Sequence, residues 1–84
     1  MKAWKDVIEE RLRQIHDEGW ELTHDDQYTE GQLALAAACY ALEDMEYWPW
    51  IDAWWKPTHH RGNLVKAAAL LIAEIERLDR YGNT

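Results

Sequence analysis

Two short stretches bring together residue types capable of chemistry. His24-Asp25-Asp26 sets an imidazole beside two carboxylates, and Lys56, His59, His60 and Arg61 gather positive charge around Thr58. The first group could hold a divalent cation or exchange a proton with a substrate. Adjacent side chains diverge, however, and the spacing matches no established metal motif. An acidic turn at a helix start also accounts for these residues by capping alone. The second group surrounds a predicted helix start with Thr58 as its cap, where free N–H groups attract phosphate. There Gly62 would admit an anion close to the backbone, and His59, Asn63 and Lys66 share one helical face. Cations at a helix N-terminus oppose the dipole. This cluster therefore needs a compensating anion, either the acids at 43–46 or a ligand.

Four tryptophans, Trp48, Trp50, Trp54 and Trp55, precede that corner between Pro49 and Pro57 or beside them. Aromatic faces next to cations suit a flat anion such as a nucleotide, with the base stacked and the phosphate neutralised. The same rings can plug the thin core of a short chain, and at least two of the four are expected there. Outward-facing rings would instead mark an oligomer contact. The candidate ligand-binding set is Trp20, His24, Asp25, Asp26, Trp54, Trp55, Lys56, His59, Arg61 and Lys66. No catalytic residue, metal ligand set or cofactor is assigned. Cys39 lies in an alanine-rich run as packing, and neither a nucleophilic triad nor a glycine-rich phosphate loop is present.

These residues must be positioned by helices, because no stretch alternates as a strand does. Trp4, Ile8, Leu12 and Ile15, with Val7 beside them, predict an amphipathic helix over 3–18 whose apolar stripe faces the core. Gly19 stops it. The polar connection 19–28 carries Trp20 and a capping-box spacing from Thr23 to Asp26. Thr29 with Gln32 predicts the N-cap of a second helix, about 30–44. That helix is apolar all round from Leu33 to Leu42, which predicts a central position. The prolines bracket a short helical turn through Trp50–Trp55. A last helix over about 59–80 carries the stripe Leu64, Ala68, Leu71, Ile75 and Leu78, widened by Val65 and Ile72. The expected fold is all-α, a single small three-helix domain over residues 1–84 with a Trp-rich connection between helices 2 and 3.

Charge narrows the partners. The 84 residues carry a net charge of −7, which disfavours non-specific binding to duplex nucleic acid. Residues 1–54 hold all of the acidic excess, so an anion site must draw its cations from the C-terminal part. Six Trp, four Tyr and no Phe supply large rings with polar handles. The longest apolar run, Leu33–Leu42, is about half of a membrane span. A single cysteine and a charged N-terminus predict a reducing cytoplasm and no membrane partner.

Arg13-Gln14-Ile15, Glu18-Gly19-Trp20, His24-Asp25-Asp26, Trp48-Pro49-Trp50, Trp54-Trp55-Lys56-Pro57, Leu64-Val65-Lys66-Ala67 and Ala73-Glu74-Ile75-Glu76-Arg77-Leu78 together resemble a family of small proteins encoded by tailed phages and prophages. The resemblance implies a phage origin and the cytoplasm of a bacterial host, and it brings no catalytic residues with it. A fainter similarity, in tryptophans placed before an alanine-rich helix, is to phage deoxynucleoside triphosphate diphosphohydrolases. Of the paired acidic helix motifs of all-helical nucleotide pyrophosphatases only the single pair Glu9-Glu10 stands here, with no acids on the central helix to oppose it. Three functions are expected in order. The first is a homo-oligomeric protein that binds or sequesters a nucleotide-like anion, such as a host-defence signal. The second is an acidic DNA mimic that covers a host protein. The third is a metal-dependent nucleotide pyrophosphohydrolase.

Overall fold

The computed structural model describes residues 1–18 and 22–81. The order is α1 (Lys2–His16), a single turn α2 (Leu22–Asp25), α3 (Gln32–Leu42), a 3-10 turn (Asp52–Trp54) and α4 (His60–Arg80). The all-α architecture, with a cluster of aromatic rings in the connection between α3 and α4, is the one the periodicity predicts. No helix among the described residues is long and apolar enough to cross a membrane.

Local chemistry sets the helix ends. Gly31, at φ 80°, caps α3 in place of Thr29, because the Gln32 side chain accepts from the Glu30 N–H at 2.7 Å and holds the preceding turn open. At the other end Glu43 takes the left-handed conformation at φ 57°. Its N–H donates to the Tyr40 carbonyl, and that of Asp44 donates to the Cys39 carbonyl. This bond pair is the one in which glycine usually stops a helix. A non-glycine residue is strained there. Glu43 is held by Asn63 Nδ2 at 3.0 Å and by His60 Nδ1 at 3.2 Å.

Helix α4, and not the alanine-rich α3, is the centre. It packs against α1, α2 and α3. Its buried face is Asn63, Ala67, Ala69, Leu70, Ala73 and Arg77, set against Leu33, Ala36, Ala37 and Tyr40 of α3. Alanines on both helices let the backbones approach closely. Tyr28, Trp48, Trp50 and Trp55 then close the core from the side. One flank of α3 remains outside, with Leu42 74% exposed, which corrects the expectation of a fully enclosed helix.

The largest departure from the sequence expectation is the rotation of α1. Trp4, Ile8 and Leu12 face solvent at 72%, 55% and 48% exposure, while Arg11 and Gln14 are buried. At about 100° per residue, the apolar stripe sits roughly a quarter turn away from the buried face. Polar contacts to α4 and α2 set that rotation: Asp6 to Arg61, Glu10 to Lys66, and Arg11 to Glu76 and Asp25. Helix α4 does the same with its own stripe, leaving Leu64, Leu71 and Ile75 exposed.

Candidate functional site

The cations expected to bind an anion do converge, at the start of α4 against α1. Arg61 Nη1 lies 2.8 Å from Asp6, Lys66 Nζ 3.7 Å from Glu10, and Lys56 Nζ 3.3 Å from Glu18. Arg13 bridges Glu10 at 2.7 Å and Glu18 at 3.0 Å. Between the two helices lies an open groove of about 420 Å³, walled by Arg13, His59, Arg61 and Lys66 on one hand and by Asp6, Glu9 and Glu10 on the other. The anion that compensates the cationic helix start is thus largely α1 itself, aided by Glu43 beneath His60.

Proton affinities agree with this pairing. Hydrogen bonds from Lys2 and Arg61 hold the Asp6 carboxyl below its ordinary value. Burial pushes Glu10 up, but Arg13, Lys66 and Gln14 outweigh it and the net shift is downward. The Arg13 hydrogen bond, joined by Lys56, lowers Glu18.

The N-terminus of α4 is capped from within. His59, and not Thr58, is the N-cap, and its Nδ1 accepts from the Gly62 N–H at 3.0 Å. Asn63, buried one turn on, accepts from the Thr58 N–H at 2.7 Å and donates to the Thr58 carbonyl at 3.0 Å. A Cβ at Gly62 would collide with the Thr58 hydroxyl. Glycine leaves room there for the chain to fold close on itself, and Gly62 also lines the groove against α1.

The His24-Asp25-Asp26 group serves the fold. Asp25 is fully buried and accepts from Arg11 Nη2 at 3.0 Å, while Arg11 Nε reaches Glu76 at 3.2 Å. Burial raises the Asp25 carboxyl against the pull of Arg11 and His24. Asp26 accepts from Arg80 at 2.6 Å and 3.1 Å, and His24 Nε2 lies 3.2 Å from the Tyr28 hydroxyl. These bonds tie α1 and α2 to the far end of α4. Arg61 and Arg80 are nineteen positions apart on that helix, about 28 Å along its axis, so the two groups cannot line one small-molecule site. Among the described residues no group of three His, Cys, Asp or Glu is arranged to hold a metal.

Trp48, Trp50 and Trp55 are half-buried and pack against the core from the side. Trp55 stacks on Tyr40 with centroids 4.7 Å apart, Trp48 meets both rings edge-on, and Trp50 touches Tyr28 at 5.0 Å. The Tyr40 hydroxyl accepts from the Lys56 N–H at 3.1 Å, anchoring the segment that leads into α4. Trp54 is the outermost ring of this cluster, at 39% exposure. Trp20 lies outside the described residues.

Sequence reasoning missed the burial of Arg11 and Gln14, and it placed Asn63 on a helical face with His59 and Lys66 without its buried capping role. Arg11 and Gln14 follow Val7 at helical spacing, on a line adjacent to the apolar stripe, which is the signal that could have placed them inside. No family model, curated protein or solved structure matches this chain.

Proposed function

We propose that this protein works as an interaction module, making contact through the outer face of α1 and α4. The observation that carries this reading is the rotation of α1, which buries Arg11 and Gln14 and turns Trp4, Ile8 and Leu12 to solvent. A short chain with few large aliphatic side chains in its core has every reason to bury such residues. Leaving them outside in one patch is the pattern of a contact surface. On the resemblance to phage and prophage proteins, the setting is a bacterial host cytoplasm. The partner binds by apolar contact at this face more than by the DNA-like acidity of the second expectation, two of whose acids, Glu18 and Glu43, are engaged within the fold. The test places the photo-reactive residue p-benzoylphenylalanine at Ile8 in cells. A polypeptide adduct at position 8, and none when the probe stands at Glu30, is the expected result. No adduct at position 8 contradicts the reading.

The groove beside α4 favours a second reading, a nucleotide-like anion. Its volume of about 420 Å³ falls in the range of small-molecule sites, and Trp54 lines an adjoining crevice with Lys56 and Lys66. A phosphate would have to displace Asp6 from Arg61, and solvent screening keeps ion pairs of this kind weak. Titration calorimetry with linear and cyclic nucleotides tests it. Saturable heat that is lost in Arg61→Ala supports the site, and flat heats throughout refute it.

A further inference from the structure

We infer that the outer face of α1 and α4 is closed by a second copy of this chain, packed about a two-fold axis with Trp4 of each copy seated in an apolar hollow of the other. The inference rests on reading that face as a contact surface, and it adds the identity of the occupant.

The face holds both halves of a self-complementary contact. Trp4 is the knob, 72% exposed near the start of α1. Beside it is a hollow of about 340 Å³, lined by Ala3, Trp4, Val7, Ile8, Ala68 and Ile72. A smaller apolar recess continues from it toward Leu64 and Val65. Val7, Ala68 and Ile72 are the half-buried residues of its lining, and a hollow of this volume admits an indole. A two-fold interface needs this arrangement, because each residue that inserts must find its receptor on the same surface.

Helix α4 adds a seam. Leu64, Ala68, Leu71, Ile75 and Leu78 are spaced 4, 3, 4 and 3, the alternation by which one helix packs along another. Within the monomer this seam faces neither α1 nor α3, and Leu64, Leu71 and Ile75 are 43%, 46% and 57% exposed.

Area and charge both favour a copy over another partner. The exposed parts of Trp4, Ile8, Leu12, Leu64, Leu71 and Ile75, with the half-buried residues among them, amount to roughly 700–800 Å², close to the ~800 Å² that each partner contributes to a standard stable interface. The rim on α1 is balanced, with Lys2 paired to Asp6 and Lys5 to Glu9. On the α1 side two chains of net charge −7 can therefore meet with their rim charges already paired. A basic partner would find little to neutralise on this face.

Sedimentation equilibrium of the full chain, with Trp4→Asp, Leu71→Asp and the off-face control Ile51→Asp, tests the inference. The wild type and Ile51→Asp are expected at twice the 10.0 kDa chain mass. Each on-face variant is expected to weaken association at least about 30-fold. All three replaced side chains are exposed, so unchanged far-UV circular dichroism separates lost association from lost folding. In a half-labelled sample, an intermolecular contact from the Trp4 ring to the Ala68 methyl fixes the arrangement. A wild-type monomer at sub-millimolar concentration overturns the inference, as does a dimer indifferent to both on-face variants. If the position-8 photo-adduct then carries a different protein, the contact surface stands and only the second copy is wrong; if no adduct forms, both fall.

Discussion

Replacing Asp25 with alanine should cost this fold more than any other single loss of a carboxylate. Its side chain is fully buried, and its Oδ2 accepts from Arg11 Nη2 at 3.0 Å. Arg11 is itself buried, its Nη1 has no hydrogen-bond partner among the described residues, and its remaining bond is to the half-exposed Glu76. Asp25→Ala would leave a guanidinium enclosed with one acceptor. Breaking a buried pair from one end costs about 3–5 kcal/mol, against a total of about 4–12 kcal/mol for a chain of this length. Asp25→Asn keeps an acceptor for Nη2 and should cost about 1–2 kcal/mol. Urea unfolding followed by circular dichroism separates the two. The alanine variant should be marginally folded or unfolded at 25 °C, and the asparagine variant folded with a lower midpoint. The linkage to pH adds a second check. A carboxyl whose proton affinity is raised by folding favours the native state when protonated. Its contribution is present below about pH 4 and declines as pH rises through the folded pKa, so the penalty of Asp25→Asn should shrink at higher pH. An alanine variant that loses less than about 1 kcal/mol would refute the buried-pair account.

Other consequences follow from the same contacts. Asp6, Glu10, Glu18 and Glu43 all hold protons less tightly in the fold than outside it. Their stabilisation is present above about pH 4.5 and is lost as pH falls through their depressed values, so the thermal midpoint should drop between pH 5 and pH 3 despite the opposing sign of Asp25. Asn63→Ala removes four hydrogen bonds at the start of α4, the longest of them from the Thr58 hydroxyl; a loss of about 2–3 kcal/mol in urea unfolding is expected, and a neutral result would show that Thr58 and Glu43 are held by other groups. Cys39 is buried, and burial pushes its thiol up; a disulfide reagent should therefore modify it only at the rate of unfolding, and rapid labelling of the native protein would contradict its placement.

Helix positions were legible in the sequence because period and stop signals agree there. The Thr29–Gln32 start signal and the acids after Leu42 both lie close to the true ends of α3. The tryptophan segment was legible as packing, with Trp48, Trp50 and Trp55 half-buried against the core and Trp54 outside it. What could not be read was the direction each stripe faces. Hydrophobic spacing identifies Trp4, Ile8 and Leu12 as one line on α1, but it does not say whether that line meets α4 or solvent. The choice falls to pairings between distant residues, Arg11 with Asp25 and Glu76, and Asp6 with Arg61, whose partners are 14, 65 and 55 positions apart in sequence. The cationic corner illustrates the same limit. Its charge was evident, but the carboxylates that neutralise it lie on α1, and only the fold brings them there.

The concentration dependence of thermal unfolding tests most directly whether the α1–α4 face is completed by a second copy. Association that occurs only in the folded state couples stability to concentration by about 2.7 kcal/mol per hundredfold. For two chains of this length, that corresponds to a rise of about 8 °C in the midpoint. The wild type should show that rise, and Trp4→Asp should melt at one temperature throughout. A wild-type midpoint that does not move across the hundredfold range would contradict the account.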